Sequence, residues 1–198
     1  LPVYLTAGTI LGTVLGDEFV PRSVRIESGR PLEVGPFAIE AFSIPHDARE
    51  PVGFVLQDGH GRRLGLAGDI GCRTQLAWGR LADLDCLMLE TNHDLEMLRS
   101  GPYPWALKQR VAGRHGHLSN REAADGLPEL LAERLRFVVL YHLSRTNNMP
   151  ALAAADHDAL TRAFDGLGTE QRTLLVLHYH LGLPMHETAL ALGLPIGT

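Results

Sequence analysis

The sequence predicts an α/β fold, with layered sheets and helices in the larger part of the chain and a small all-α tail. From residue 1 to about residue 70 it reads as short strands separated by turns, as in PFAIEAFSI. From about residue 73, helical periodicity takes over and is interrupted by apolar strands such as CLMLE. Strands followed by mixed helices and strands are typical of a layered α/β domain.

The individual elements follow in order along the chain. The predicted strands before residue 70 are PVYLT, SVRIES, PFAIEAFSI, PVGFVLQD and RLGLAGD, the last of them after the turn-rich segment DGHGRR. The predicted helices after residue 73 are QLAWGRLADL, LEMLRSG and NREAADGLPELLAERL, and they frame the strand CLMLE. The run VVLYH supplies one more strand, which is typical of burial on both faces and ends on His142.

The composition is that of a soluble globular protein, with 45% hydrophobic and 21% charged residues among 198. No stretch approaches the roughly 18 apolar residues of a membrane helix, so we expect no membrane association. The net charge of −5 argues against a chain that coats phosphate backbones, although a local basic face is compatible with it. Cys72 and Cys86, the two cysteines, form no CxxC pair, which indicates a reducing compartment and a cytoplasmic location.

The composition changes at about residue 151, where we expect a boundary between a domain of residues 1–150 and a segment of residues 151–198. The segment ALAAADHDALTRAF is Ala-rich and helical in pattern, and the residues after it keep a helical period. The tail carries two arginines against five acidic residues. The sequence therefore predicts a second, all-helical unit.

Three side chains stand where predicted strands end: His46 after AFSI, Asp69 after LGLAG and His142 after FVVLY. The chain has ten histidines, and most histidines are surface or core residues, so position must separate them. The carboxyl edge of a sheet is the usual place for sites in layered α/β proteins. Neutral imidazole and anionic carboxylate on rigid strand ends suit a divalent cation. A shared carboxylate can bridge two ions about 3.5 to 4 Å apart, and such a pair can generate hydroxide and clamp a phosphate.

Five segments in register resemble the metallo-β-lactamase-fold hydrolases, most closely their YycJ/WalJ branch near tRNase Z and PhnP. They are SIPHDAREPVGFVL, LAGDIG, DCLMLETNHD, GPYPWALKQRVAGRHGHLSN and VVLYHLSRTNN, and the resemblance covers roughly residues 1–150. It implies the carboxy-terminal portion of an αββα sandwich, and a phosphodiesterase or nuclease that acts through a metal-bound hydroxide. It also implies two Zn or Mn ions in the intact family, and a nucleic acid or another phosphodiester as substrate.

The resemblance also implies roles for individual residues. His46 matches the family's third metal motif, Asp69 the bridging aspartate of the Gly-Asp motif, and His142 the last metal-binding histidine. His117, in GHLSN, matches the histidine that donates a proton beside the metals in the tRNase Z branch, and Glu90, in LETNHD, matches the acid that orients it. A carboxylate partner favours the protonated, donating form of imidazole.

Several residues near these motifs have two interpretations each. Asp47 is either a hydrogen-bond partner behind a metal ligand or the cap of a turn, and the turn is favoured. His93 and Asp94 either line the pocket or lie exposed in a loop, and the loop is favoured. Arg145, like Arg110, either contacts phosphate or is solvated at the surface.

The segment GPYPW combines two prolines with two aromatic rings. Proline fixes the backbone and aromatic rings bury a large area, so we expect a rigid wall of stacked rings beside the site. A platform on which a nucleobase stacks is the alternative.

The family's first metal motif, His-x-His-x-Asp-His, does not occur in this sequence. In relatives it lies just ahead of a segment like LPVYLTAGT, so the sequence is interpreted as truncated before Leu1. Three retained ligands cannot close two coordination spheres, for which the family analogy requires about seven. We therefore expect weak or no metal binding and negligible hydrolysis from this chain alone.

The tail, residues 151–198, resembles region four of extracytoplasmic-function sigma factors, a helix-turn-helix unit that binds RNA polymerase and promoter DNA. Thr169 is the predicted cap of a helix through EQRTLLVLHYHL, which ends at Gly182, and MHETALAL is the predicted first helix of the motif. The recognition helix that would read DNA is missing. A hydrolase fragment is therefore the first interpretation. A sigma-like transcription module and an accidental fusion without joint function are the alternatives.

Overall fold

The computed structural model describes residues 2–12 and 22–156, together with the backbone of residues 173–176. Its strands are β1 (Val3–Thr6), β2 (Ser23–Ile26), β3 (Leu32–Val34), β4 (Phe37–Ser43), β5 (Val52–Asp58), β6 (Arg63–Ala67), β7 (Cys86–Glu90), β8 (Phe137–Tyr141) and β9 (Thr173–Val176). Its helices are α1 (Ala7–Gly12), α2 (Gln75–Arg80), α3 (Leu95–Ser100), α4 (Trp105–Val111), α5 (Asn120–Gly126) and α6 (Pro150–Asp156).

The strands form two sheets, and the α/β class predicted from the sequence is confirmed. The large sheet has the order β3-β4-β5-β6-β7-β8-β9, and β1 pairs with β2 in a small parallel sheet. The large sheet is antiparallel from β3 to β6 and parallel from β6 to β9. This mixed sheet is the frame on which the site is built.

The parallel half of the sheet brings three predicted site residues to one edge. β6, β7 and β8 are neighbours that run in the same direction. Asp69 follows β6, Glu90 is the last residue of β7 and His142 follows β8 directly. Because the carboxyl ends of parallel neighbours meet at the same edge, the three side chains lie close together.

Among the described residues, one hydrophobic core packs the helices α2, α5 and α6 against this sheet. Side chains alternate along a strand, so Leu87 and Leu89 of β7 share one face, as do Val138 and Leu140 of β8, and all four are fully buried. The same core contains residues of the helices and of the turn that follows α5: Ala77, Trp78, Ala123, Ala124, Leu127, Leu130 and Ala153. Burial of each large side chain contributes roughly 1.5–3 kcal/mol, which is what fixes the register of the strands.

Three elements were not predicted from the sequence: β3, α1 and α4. The helix α4 follows GPYP directly, with Pro104 at its N-cap position. Proline is tolerated at the start of a helix, but in a sequence it interrupts the helical pattern. The sequence analysis therefore did not predict α4. Within the residues that the structure describes, no helix is both long enough and apolar enough to span a bilayer.

The predicted helix through EQRTLLVLHYHL is wrong for the four residues of it that the structure describes. Thr173–Val176 form β9, which pairs in parallel with β8, with Thr173 opposite Phe137. A short run with β-branched residues at both ends suits a strand, and β8 offers an open row of backbone donors and acceptors. The start of the Ala-rich segment is helical, as predicted, in α6. The rest of the predicted sigma-like helices lies outside the described residues.

Three buried asparagines join the loops after β7 and β8 to the start of α5. The Nδ2 atom of Asn148 lies 2.8 Å from the carbonyl oxygen of Thr91, 3.1 Å from that of Asn92 and 2.8 Å from Oδ1 of Asn120. The Nδ2 atom of Asn120 in turn donates to Oδ1 of Asn148 at 3.0 Å. The Nδ2 atom of Asn92 donates to the carbonyl oxygen of His142 at 3.0 Å. These contacts tie the loop that carries His142 to its neighbours.

We expect the substitution Asn148→Ala to lower the free energy of unfolding by about 3 kcal/mol, because it leaves several buried polar groups without partners. Denaturant unfolding followed by circular dichroism measures the change. The exposed Thr146 provides the control, since Thr146→Ala removes a side chain of the same loop without opening the asparagine cluster. Equal stability of the two variants would contradict the structural role of Asn148.

Candidate metal centre

Asp69 and His142 leave their strands in an unusual backbone conformation. Their φ angles are 53° and 60°, in the left-handed region that residues other than glycine seldom adopt. Such residues are held by their surroundings and are concentrated at functional sites. Both belong to the set that the sequence analysis placed at strand ends.

Gly68, before Asp69, allows the close approach of a neighbouring side chain. A Cβ atom at position 68 would lie 2.2 Å from the hydroxyl oxygen of Tyr141, the last residue of β8. Burial raises the pKa of the Tyr141 hydroxyl well above its ordinary value, so the group stays neutral. Glycine is therefore required at position 68, because the Tyr141 hydroxyl occupies the space of a Cβ atom. Asp69 directly after it places the carboxylate at the edge of the sheet.

Glu90 is a fully buried carboxylate whose oxygens are both engaged. Its Oε2 accepts a hydrogen bond from the backbone N–H of Ile70 at 2.7 Å. Its Oε1 lies 2.7 Å from Nδ1 of His117 and 2.6 Å from Nδ1 of His142. Because its Oε1 contacts both rings, the Glu90 carboxylate orients the two imidazoles.

The Glu90 contacts fix which nitrogen of each ring is available. With Nδ1 of His117 and of His142 donating to Glu90, the Nε2 atoms carry the lone pairs. The Nε2 atom of His142 lies 3.5 Å from Oδ1 of Asp69. Among the described residues, Nε2 of His117 makes no hydrogen bond.

His46 approaches the Asp69 carboxylate from the antiparallel half of the sheet. Its Nδ1 lies 2.9 Å from the carbonyl oxygen of Gly116, an acceptor, so Nδ1 carries the proton and Nε2 the lone pair. Its Nε2 lies 3.8 Å from Oδ1 of Asp69. The ring centroids of His46 and His117 are 5.0 Å apart, and those of His117 and His142 are 5.3 Å apart.

The arrangement around Asp69 suits a divalent cation. Its Oδ1 has imidazole nitrogens of His46, His117 and His142 at 3.5 to 3.8 Å, and no described residue donates a hydrogen bond to it. Ligand atoms of Asp69, Glu90, His117 and His142 all lie within 4.8 Å of one another. Asp69 is thus faced by the Nε2 lone pairs of His46 and His142. Their rings are held from behind by a carbonyl and a carboxylate, which is the donor set and orientation of a metal site.

The pKa values of Glu90 and His142 are coupled through their hydrogen bond. Burial opposes ionisation of Glu90, but the hydrogen bonds from His117 and His142 outweigh it, so the pKa of Glu90 lies below its ordinary value. The hydrogen bond to Glu90 raises the pKa of His142 above 6.5, against the effect of burial. Glu90 therefore stays ionised, and a proton competes with a metal for the His142 ring.

The loop 112–117 is fastened over the site by backbone contacts. The His117 N–H donates to the carbonyl oxygen of Val111 at 2.9 Å, and the Asp47 N–H donates to that of His115 at 2.9 Å. A Cβ atom at Gly116 would lie 2.2 Å from the carbonyl oxygens of Arg110 and Val111, so only glycine allows this approach. The end of α4 is thus held rigidly beside His46 and His117.

The Asp47 carboxylate contacts two side chains, as in the less favoured of its two interpretations. One of its carboxylate oxygens accepts a hydrogen bond from Nε of Arg110, and the other lies 3.4 Å from Nε2 of His46. The hydrogen bond from Arg110 lowers the pKa of Asp47. Asp47 therefore links His46, a predicted metal ligand, to Arg110, which the sequence analysis named only as a possible phosphate contact.

The interpretation of His93 and Asp94 as exposed loop residues is wrong. His93 is fully buried, its ring nitrogens have no partner among the described residues, and burial lowers its pKa. Asp94 is partly buried and caps α3 by accepting a hydrogen bond from the N–H of Met97 at 2.8 Å. Arg145 is exposed, as favoured. Trp105 is 70% exposed at the start of α4, so it does not pack into the expected wall.

Comparison with known proteins matches this fold and these segments to one family. The model of the "Beta-lactamase superfamily domain" matches residues 4–143. The chain is 33% identical to exodeoxyribonuclease YycJ of Bacillus anthracis over 159 residues, which are 77% of this chain and 58% of the relative. It is 37% identical to exodeoxyribonuclease WalJ of Streptococcus pneumoniae over 129 residues, which are 64% of this chain and 47% of the relative. The chain thus spans about half the length of the curated relatives it matches.

A solved structure shares the fold at low sequence identity. The metallo-β-lactamase fold protein YhfI from Bacillus subtilis superposes with a TM-score of 0.59 at 14% identity, over 89% of this chain and 61% of that one. At this identity the similarity shows the fold alone. With residues 4–143 matched by the family model, the chain belongs to the β-lactamase superfamily and has the metallo-β-lactamase fold.

Proposed function

We propose that this chain contributes the carboxyl-edge half of a metal-dependent phosphodiesterase centre that acts on nucleic acid. The observation that carries the proposal is the convergence of His46 Nε2 and His142 Nε2 on one carboxylate oxygen of Asp69, at 3.8 and 3.5 Å. The family implies a divalent metal, and these three residues would hold it. A divalent ion there would supply Lewis acidity, activating water and offsetting charge on a phosphate.

Glu90 is proposed as the positioning acid of the centre. Its single oxygen Oε1 accepts from two imidazoles, so one buried charge fixes the rotation of both rings. Because Nδ1 of His142 is tied in this way, its Nε2 remains directed at Asp69. Hydrogen bonds of this kind raise the basicity of a ligating imidazole and reduce its freedom.

His117 is proposed as the proton donor. It shares Glu90 with His142, its side chain is partly exposed, and its Nε2 has no hydrogen bond among the described residues. It also lines the pocket beside the centre, together with His46. A proton held on that nitrogen can pass to an oxygen that leaves a phosphate, while Glu90 stabilises the charged ring.

The substrate class is proposed from the relatives as well as from the site. Two curated relatives are named exodeoxyribonucleases. A cleft with imidazoles, a bridging carboxylate and an arginine suits a phosphodiester, and DNA is the form of it that the relatives' names indicate. Both cysteines are free thiols, in accord with the cytoplasmic location that was expected. The sigma-like alternative for residues 151–198 draws no support from the described residues or from the relatives named above.

The affinity of this chain for Zn²⁺ or Mn²⁺ should rise with pH. In the metal-free chain the raised pKa of His142 means that a proton occupies the ring until the pH exceeds its ordinary value of 6.5. Below the raised pKa, affinity should fall by about tenfold for each pH unit, since one proton competes with the metal. Isothermal titration calorimetry between about pH 6 and pH 8 measures this dependence.

The matched variants of that titration are His142→Asn, which should abolish binding, and His60→Asn, an exposed histidine that should leave it unchanged. Because this sequence carries only three of the expected ligands, inductively coupled plasma analysis should find fewer than two tightly held ions per chain. Two tightly held ions, or an affinity independent of pH, would contradict the proposed ligand set.

The substitution Glu90→Gln should weaken metal binding by about 10- to 100-fold without removing a ligand. The neutral amide cannot accept from both imidazoles with the strength of a carboxylate, so the rings lose their fixed orientation. Melting temperature separates this effect from unfolding, and Glu129→Gln, which removes an exposed partner of Arg73, is the control. Unchanged affinity in a folded Glu90→Gln variant would show that Glu90 does not position the ligands.

Hydrolysis is best tested in a protein that carries the residues of this chain together with the His-x-His-x-Asp-His motif that the family resemblance implies. Such a protein should degrade end-labelled DNA in the presence of a divalent metal. Asp69→Asn should lower the rate by at least about 100-fold, and His117→Ala by about 100-fold or more. Asp125→Asn, which alters an exposed pair with Arg121, serves as the control. Full activity of a folded Asp69→Asn variant would refute the proposal.

A further inference from the structure

We propose that Arg110 binds a phosphate group of the substrate at the pocket beside the metal centre. This inference deepens the proposed function and rests on it for the identity of the ligand. The pocket is lined by His46, Asp47, Leu107, Arg110, Val111, Gly116 and His117. It therefore contains one predicted metal ligand, the predicted proton donor and a single side chain with a permanent positive charge.

One face of α4 forms a wall of this pocket. Leu107, Arg110 and Val111 are spaced three and four residues apart, so they lie on the same side of the helix. Trp105 lies on the opposite side, with 70% of its surface exposed. The pocket face thus offers two apolar side chains and the Arg110 guanidinium.

The position of Arg110 is set by the same contacts that hold the site together. Its helix ends where the carbonyl oxygen of Val111 accepts from the His117 N–H at 2.9 Å. In the loop that follows α4, the carbonyl oxygen of Gly116 accepts a hydrogen bond from Nδ1 of His46 at 2.9 Å. The backbone next to Arg110 is therefore hydrogen-bonded to the proton donor and to a predicted metal ligand. These bonds hold Arg110 in place before the substrate binds.

Asp47 orients the Arg110 guanidinium but leaves both of its Nη atoms available. It accepts from Nε of Arg110, and the two Nη atoms make no hydrogen bond with any described residue. The side chain of Arg110 is 65% exposed, so these Nη atoms are open to a ligand. A planar guanidinium held at Nε presents its remaining N–H groups as a fork, which matches the spacing of phosphate oxygens.

The chemistry of the pocket favours an anion with several oxygens. Besides the Arg110 fork, the pocket holds the unpaired Nε2 of His117, a second donor when the ring is protonated. A phosphodiester has bridging and non-bridging oxygens, so different oxygens of one group can contact these different donors. An exposed ion pair with Asp47 alone would contribute little to stability, so stability does not explain the arrangement well.

The test measures binding in the absence of metal. The full chain or a variant is titrated, with a chelator at low salt, into a fluorescently labelled, single-stranded thymidine oligodeoxynucleotide of about eight residues, and fluorescence anisotropy measures the affinity. In the unsubstituted chain, NMR of the Arg110 Nε–H signal shows whether this group contacts the probe. A methylphosphonate oligonucleotide of the same sequence lacks the phosphate charges. We expect Arg110→Gln to weaken binding of the phosphate probe about three- to tenfold and to leave binding of the methylphosphonate probe unchanged. Arg110→Lys should retain part of the affinity, since it keeps the charge but not the fork.

The matched control is Arg121→Gln, which removes an equally exposed arginine from an ion pair with Asp125 and changes the net charge by the same amount. Its affinity for the phosphate probe should equal that of the unsubstituted chain. Equal weakening by Arg110→Gln and Arg121→Gln would overturn the proposal, because overall charge would then explain the binding. A lower melting temperature with unchanged affinity would overturn it too, as would no binding by the unsubstituted chain.

This experiment is separable from the test of hydrolysis. A chelator removes the metal, so failure of metal-dependent cleavage does not alter the result at Arg110. Conversely, if DNA cleavage in the hydrolysis test is equally fast with Arg or Gln at position 110, the proposed function is retained and the phosphate-binding role of Arg110 is lost.

Discussion

The buried charge of Glu90 is the constraint on which the site depends. An isolated carboxylate in a protein interior is strongly unfavourable, so it must be satisfied by strong donors. Glu90 obtains them from the Ile70 N–H after β6, from His142 after β8 and from His117 at the loop before α5. One side chain at the end of β7, the strand between β6 and β8, therefore organises the segments on both sides of it.

The backbone around the site follows from this arrangement. To place their side chains near Glu90, Asp69 and His142 leave their strands with positive φ angles. Such conformations persist only where neighbouring contacts hold them, and the Asn92 amide provides one by donating to the His142 carbonyl oxygen. The asparagine cluster is thus more than a stabilising feature, because it keeps a predicted ligand in position. On the other side, Gly116 lets the loop 112–117 close against α4.

Much of the fold could be predicted from the sequence because its strands and helices follow from local residue patterns. Apolar runs predicted the strands, and the residues that follow these runs placed Asp69 and His142 at strand ends. The contacts that depend on distant partners could not be read in this way. Asp47 and Arg110 are 63 residues apart, and only the folded chain shows that they pair. The burial of His93 and the strand β9 likewise depend on neighbours that a local window does not contain.

The central claim is that His46 and His142 present Nε2 to Asp69 because their Nδ1 atoms are held from behind. NMR of the imidazole nitrogens tests it most directly, with the pH set so that both rings are neutral before metal is added. We predict that both rings carry their proton on Nδ1, and that Zn²⁺ shifts the Nε2 signals of these two histidines while leaving the exposed His60 unaffected. Rings protonated on Nε2, or a metal response confined to other histidines, would contradict the account.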